Sequence, residues 1–528
     1  MPGTVIPNLT DISLCESPFT GWTNTGVGTQ GLHDTTVFDQ IQGSYCYQDS
    51  KNSAGNRGAQ WDFGAGTPAN FTGKFLVIWF AFSKKNFGAN PMVFKLTDTS
   101  GNWSEWNMFS QGDLLHSAWI PWVLNPSVTR DTGSGTLVLS EIRYFEWKSA
   151  TVTAKVFIYW DAVRYGTGLS IKGGTSGSPA TFEDFITAEN TNAYGVIEKK
   201  NTIYFTQGNI IIGSTTNGDA TYFEDTNKVL RFKDIYKTPT NFYEIKGQGN
   251  TTGETKIFLG EKSGTAGISG CFITASSTMK FKLTMSDTYI TEFGFYGSTF
   301  VNANTITGQA YSTLKEFLGS SFIACAEMLP DTGIVTQCFF ISSPGRGIRI
   351  TGITHYITNC KFIDCGHAIH CNFSDSAPGV EFNNLIFSGS NGTTKWDVEH
   401  SVSGSLLIKN VGTSNTDENY VEETGGGNTN VQVSITLKMM VTNEAGNGIN
   451  GALAYIDDND ETPYIMNTVT AQVEGVDGVA TVGYVGSPVN GSRWRVRKYG
   501  YKNFKQLVDI GSSDITLYIT LVVDPQQT

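Results

Sequence analysis

Several things are scarce in this chain, and each scarcity excludes something. Positive charge is the first: 36 Lys and Arg stand against 48 Asp and Glu, a formal net charge of −12. A nucleic-acid binder normally carries a basic face, so no nucleic-acid partner is expected. Cysteine is the second: eight residues in 528, with no Cys-x-x-Cys pair, are too few for a disulfide scaffold. Long apolar runs are also missing. The longest, Phe75 to Phe82, is far short of the roughly 20 residues a membrane helix needs, so no membrane insertion is expected. No basic segment followed by an apolar one opens the sequence, so a cleaved secretory signal is not expected and synthesis in the cytoplasm is. Charged residues make up only 16%, while aromatics reach 12% and Gly numbers 59, the composition of an ordered β-rich protein. The length predicts two to four domains.

Residues 1–168 hold nine of the eleven Trp. Short strand-like runs (QWDFGAG, KFLVIWFAF, PMVFKLTD, TLVLSEIRYFEW, AKVFIYWDAVRYG) alternate with polar turns, which predicts an all-β sandwich. In the last run Val156, Ile158, Trp160 and Ala162 alternate with Phe157, Tyr159, Asp161 and Val163. Both faces are largely apolar, so a central strand is expected. Gly, Ser and Pro between about 168 and 185 read as a loop-like boundary. Residues 186–290 contain many short strands without a clean repeat, read as irregular first coils of a solenoid or as a small inserted subdomain.

From about 297 to 390 a phrase recurs: a small or polar residue, a spacer, Phe, then usually Ile or Val. Its Phe residues are Phe300, Phe322, Phe340, Phe362 and Phe387, spaced 22, 18, 22 and 25 apart. Gly, Ser, Thr and β-branched residues are too frequent for a helical repeat. The prediction is a right-handed parallel β-helix over 169–424, with each Phe stacked on the next coil. Cys338 and Cys360 share one place in successive coils, and Cys325 and Cys365 share another; packed thiols are expected at both. A Gly triplet, residues 425–427, is read as a flexible joint before a third β unit at 430–528.

Three resemblances follow from these runs. The strand order of 1–168, closing on Ile158 to Ala162 with Asp161, resembles carbohydrate-binding jelly-roll domains, although Ala162 replaces the second Asp that some of them use for Ca²⁺. The pattern Val-Thr-Asn-x-x-Gly446-x-x-Ile449-x-Gly451-Ala452, with GVDGVATVGYV around Asp477 and Gly478, resembles carboxypeptidase-regulatory-like and transthyretin-like, immunoglobulin-like β-sandwiches. The combination across the whole chain resembles bacteriophage virion proteins: tailspikes, tail fibres and head fibres or decoration proteins.

Candidate chemistry is thin. Trp103 and Trp106 in GNWSEWN offer a sugar-stacking platform in a polar turn, or sandwich core. Arg493, Arg495 and Arg497 alternate with Trp494 and Val496, which places three guanidinium groups on one strand face for an anionic partner. Cys365, His367, His370 and Cys371 are residue types that zinc accepts, but strand alternation divides them between faces, so stacked or solvated His is expected, with no metal and no cofactor. Asp457, Asp458, Asp460 and Glu461 lack the register of a Ca²⁺ loop. Asp364, Asp375, Glu381 and Asp397 are the acids near the regular coils, with Arg346 and Arg349 as neighbouring cations. None forms a recognisable catalytic motif, and the weak catalytic candidates are Asp364, Asp375 and Glu381.

The resemblance implies an all-β structural virion protein, a homotrimer among other virion proteins, adhesive toward host surface polysaccharide. A glycan-degrading lyase or hydrolase and a surface adhesin are the alternatives.

Overall fold

The computed structural model describes residues 3–525 except 19, 27–28, 34–39, 52–54, 84–91, 110–117, 153–155, 234–242, 263–268, 277–280, 309–313, 331–332, 354–355, 390–394, 412, 414–419, 459–464, 487 and 512–513. Among the described residues the regular structure is nearly all β, with one α-helix, Phe182–Asn192. It divides into two compact units, 1–314 and 315–528. The boundaries expected near 168 and 424 fall inside these units, because each unit joins antiparallel sheets to parallel ladders.

In the first unit two antiparallel sheets enclose an aromatic core. One runs in the order Thr132–Ser134, Trp103–Phe109, Met92–Asp98, Ile142–Val152, Gly55–Asp62, Trp22–Asn24. The other is built on the strand Val156–Lys172, which pairs with Thr4–Ser13, Cys46–Lys51 and Phe75–Phe82. Strand periodicity explains the core: Met92, Phe94 and Leu96 are buried and alternate with half-buried Val93, Lys95 and Thr97. Trp22, Trp106, Trp147 and Trp160 meet there, with Trp147 and Trp160 4.9 Å apart at their ring centroids.

Val156–Lys172 takes the central place expected of it, but its alternation does not run to the end. At Ala162 φ is +46°, and pairing with Phe75–Phe82 shifts register between Asp161 and Arg164. This bulge turns Val163 into the same core as Ile158 and Trp160, where strict alternation places it opposite. Beyond it the strand changes partner, and residues 168–171 pair in parallel with Asn209–Ile212.

The stretch read as a loop therefore carries strand as far as Lys172 and then the helix Phe182–Asn192. Two carboxylates satisfy the helix's first N–H groups. Asp184 accepts from Thr181 N–H at 2.8 Å, and Asp225 accepts from Phe182 N–H at 2.7 Å. Phe182, Phe185 and Ile186 are buried. At the far end the Ala193 carbonyl accepts from Trp79 Nε1 at 3.0 Å and from Arg164 Nη1 at 2.8 Å. The segment 186–290, expected to lack a repeat, already forms parallel rungs. Ile203–Thr206, Val229–Phe232, Phe272–Thr274 and Thr299–Val301 stack in register, beside two further ladders. Phe300 lies here, on a rung with Ile273 and tilted against Phe295.

In the second unit the ladders continue the Phe phrase. Ser321–Ile323, Phe339–Ile341, Lys361–Ile363 and Ile386–Ser388 form one. Their Phe322, Phe340, Phe362 and Phe387 rings stack at 5.0, 4.9 and 5.4 Å, with interplanar angles of 11–18°. Tyr420 closes the column edge-on, 6.1 Å from Phe387. No described cysteine is in a disulfide. Cys338 Sγ donates to Phe317 O at 3.2 Å, and Cys360 Sγ to Val335 O at 3.6 Å, each reaching back to a strand about 20 to 25 residues earlier.

The Gly triplet is a close contact where a joint was expected. An added Cβ on Gly425 would come within 2.3 Å of Ser401 C, and one on Gly427 within 2.5 Å of His400 Cε1. The next strand, Asn428–Asn443, begins parallel to Ser405–Val411 and ends antiparallel to Val476–Gly486. A second sheet, Met466–Val469, Leu453–Asp457, Val489–Arg497 and Phe504–Ile510, completes a core around Trp494, Leu437, Met439 and Ile456.

Candidate functional site

Of the two readings of Trp103 and Trp106, sugar-stacking platform or sandwich core, Trp106 takes the second. Trp103 and Trp106 lie in the strand Trp103–Phe109 rather than in a turn, and three residues apart they face opposite sides. Trp106 is 1% exposed and donates its indole N–H to Val128 O at 3.1 Å. Trp103 is half-buried with Lys95 Nζ 4.8 Å from its ring. Trp106 backs a cleft of about 460 Å³ with Ser104, Ser127, Arg130 and Leu137.

The arginine strand alternates as expected, with Trp494 and Val496 buried between the guanidinium groups. Asp457, itself fully buried, takes Arg493 Nε at 2.7 Å and Arg495 Nη2. Arg495 and Arg497 stand 5.3 and 5.6 Å from the Tyr455 ring. Two of the three charges are thus met inside the sheet, and Arg497 is the exposed one. Of the acidic run read beside it, Asp460 and Glu461 lie outside the described residues.

The weak catalytic acids are dispersed. Asp364 follows the strand Lys361–Ile363 in an exposed turn at φ +53° and pairs with Lys395. Asp375 accepts from the N–H groups of Ala377 at 2.9 Å and Gly379 at 3.2 Å, which holds it in its own turn. Glu381 accepts from Asn383 Nδ2 at 2.8 Å. Asp397 is fully buried. Cys365 Sγ donates inward to Phe340 O at 3.5 Å, while His367 and His370 meet carboxylates. Among the described residues no group of three or more His, Cys, Asp and Glu is placed to hold a metal.

Glu381 does line a cleft. About 280 Å³ in volume, it is bounded by Ile353, Tyr356, Gly379, Glu381, Asn383 and Lys409. Tyr356–Thr358, Asp375–Asn383 and Ser405–Val411 are successive rungs, and Glu381 is in register with Lys409. Tyr356 is 63% exposed, so its ring face is open beside a carboxylate, an amide and an ammonium.

A second assembly lies along the ladder Met328–Leu329, Arg346–Ile350, His367–Cys371, Trp396–His400 and Val421–Glu423. Ile348, Ile369 and Val398 form its buried column. On the alternate positions, Arg349, His370, Glu399 and Glu422 follow one another rung by rung. Arg346 grips Glu399 with two bonds, at 2.5 and 2.7 Å. His367 Nε2 meets Glu422 at 2.5 Å. His370 Nδ1 lies 2.6 Å from Glu327 Oε1 and its Nε2 2.7 Å from Ser401 Oγ; Arg349 holds the other oxygen of Glu327.

Burial pushes the Glu327 carboxyl up, but hydrogen bonds from His370 and Arg349 outweigh it and hold it below its ordinary value. Glu399 behaves alike: burial raises it, and Arg346 and Thr424 bring it down further. Glu399 in turn raises Arg346. Burial keeps His400, on the next position, below the usual imidazole range. Glu327, Glu399 and Glu422 escaped sequence reasoning, since none of them lies in a recognisable motif.

No protein family and no curated protein matches the sequence. Among solved structures, an exo-β-agarase overlaps at 12% identity and TM-score 0.22, and the shared part covers 29% of this chain and 24% of the agarase. A family 11 carbohydrate-binding module of a Clostridium thermocellum cellulase overlaps at 11% identity and TM-score 0.20, over 29% of this chain and 90% of the module. The catalytic unit of an α-1,3-glucanase from Streptomyces thermodiastaticus overlaps at 11% identity and TM-score 0.17, over 82% of this chain and 95% of that unit. At such TM-scores these overlaps assign the chain neither a fold nor an activity.

Proposed function

We propose that the chain is a structural, surface-exposed component of a bacteriophage particle that binds host surface polysaccharide. Its scaffold in this reading is a right-handed parallel β-helix, preceded by a jelly-roll sandwich and followed by an immunoglobulin-like one. The observation that carries the binding role is the Tyr356 cleft. A pyranose ring has an apolar C–H face and a rim of hydroxyls. An open aromatic ring flanked by Glu381, Asn383 and Lys409 complements both. Parallel rungs repeat at about 4.8 Å, close to the rise of one sugar in a polymer, so further hydroxyls meet further rungs.

Cleavage of the glycosidic bond is the weaker reading. A glycosidase needs two carboxyls flanking one bond, whereas Asp364 is paired with Lys395, Asp375 accepts from Ala377 and Gly379, and Glu381 accepts from Asn383.

Retention of the full chain on immobilised capsule or lipopolysaccharide polysaccharide tests the proposal. Tyr356→Ala should weaken binding about tenfold, the value of an aromatic contact of about 1.4 kcal/mol. Equal retention by the variant and the native chain would remove the cleft from the account. Mass spectrometry of purified particles tests the virion setting. Light scattering tests the homotrimer, which requires three times the 57.4 kDa of one chain.

A further inference from the structure

The geometry points to a serine ester-hydrolase centre at Ser401, His370 and Glu327, acting on O-acyl esters of short carboxylic acids. These three side chains come from separate coils and form one line. Ser401 Oγ lies 2.7 Å from His370 Nε2, and His370 Nδ1 lies 2.6 Å from Glu327 Oε1. That is a nucleophile, a base and a carboxylate that orients the base, each within hydrogen-bond reach of the next. A carboxylate can only accept, so Nδ1 carries a proton; in the neutral imidazole Nε2 then offers its lone pair to the hydroxyl.

The surroundings hold this line in place. Arg349 Nη2 donates to the second oxygen of Glu327, which leaves the first for His370. The His370 side chain is 4% exposed, so its ring is fixed by packing. The Ser401 N–H donates to Cys371 O at 3.2 Å, and the Gly425 backbone lies where any side chain would strike Ser401. The Ser401 hydroxyl is also placed to donate to Oδ1 of exposed Asn372, 3.2 Å away, whose own N–H donates to Ile350 O at 2.9 Å.

The reaction balances with water as the only co-reactant. Ser401 Oγ attacks the acyl carbon while its proton passes to Nε2 of His370. The bond from the acyl carbon to the alcohol oxygen then breaks, and the alcohol leaves with that proton. Water attacks the acyl-serine with His370 again as base, and the carboxylic acid departs. Ser401 is half-buried at the surface beside exposed Asn372. A short acyl group on an exposed alcohol fits this setting. Combined with the glycan-binding reading, the substrate would be an O-acylated polysaccharide; the chemistry of the centre does not depend on that reading.

The test uses the full chain with p-nitrophenyl acetate, which carries no sugar, so its outcome is separate from that of glycan retention. Turnover above the buffer rate is expected, and a fluorophosphonate probe should label the peptide containing Ser401. Ser401→Ala should abolish both without shifting the melting temperature. His370→Gln should lower turnover on the order of 100- to 10,000-fold. Absence of turnover and of label in the native chain would overturn the proposal, as would a Ser401→Ala variant that retains the full rate. If Ser401→Ala does not fold, the site of labelling in the native chain decides: a label on any other residue rejects the centre.

Discussion

Phe362 is 1% exposed and lies between Phe340 and Phe387, 4.9 and 5.4 Å away. Removing its ring strips one contact from each neighbour and leaves a void that close-packed coils cannot fill. Phe362→Ala should cost about 3–5 kcal/mol in urea unfolding; a loss under about 1 kcal/mol would refute the stacked column. This residue was legible because the phrase around it recurs along the chain. Trp106 was not, since its direction depends on whether its segment is turn or strand, and parity then sends Trp103 the other way. Ser401, His370 and Glu327 were not legible either. His370 is 43 residues from Glu327 and 31 from Ser401, separations that mean nothing until the coil length is known.

At the scale of elements, the helix Phe182–Asn192 was hidden by the Gly- and Ser-rich residues before it. Its start is written in Thr181 and Asp184, a pair that closes the first turn, and completed by Asp225 from a strand 43 residues away from Phe182. Asp184→Ala should lower stability by about 0.5–2 kcal/mol, read as a shift in the thermal transition. No shift would show that Asp225 alone suffices. The strand Val156–Lys172 teaches a related lesson. Its apolar faces announced a central strand, but nothing local announced the bulge at Ala162 or the exchange of an antiparallel partner for a parallel one. Both depend on which neighbours arrive at its edges.

For the whole molecule, the two units should answer acid in opposite directions. In residues 1–314, burial pushes Asp161 and Glu189 up to about 7 and Asp225 up to about 6. Carboxyls raised in the fold contribute stability that is complete below their ordinary values and lost as pH rises through the folded ones. Acidification from pH 8 to 5 therefore stabilises this unit. In residues 315–528 the signs reverse. His400 is lowered by burial, so the unfolded chain takes up its proton first and stability falls as pH drops below 6.5. Glu327 and Glu399 are held low, and what they contribute is lost as pH falls below 4.5 through their folded values. Calorimetry of the full chain between pH 4 and 8 should show one transition rising and the other falling on acidification. Parallel movement of both would contradict this assignment.

The sequence by itself determined the β class, the Trp-rich sandwich residues, the Phe column and the arginine alternation on Arg493, Arg495 and Arg497, since composition and short-range period are local properties of a chain. The tertiary structure alone decided which polar residues meet. Unequal lengths of chain between paired strands bring Glu327, His370 and Ser401 together, while Asp364 follows a strand of one ladder and Asp375 and Glu381 lie on a strand of another. Such juxtapositions arise from the register between strands, which is set by turn length and packing and has no fixed spacing along the chain.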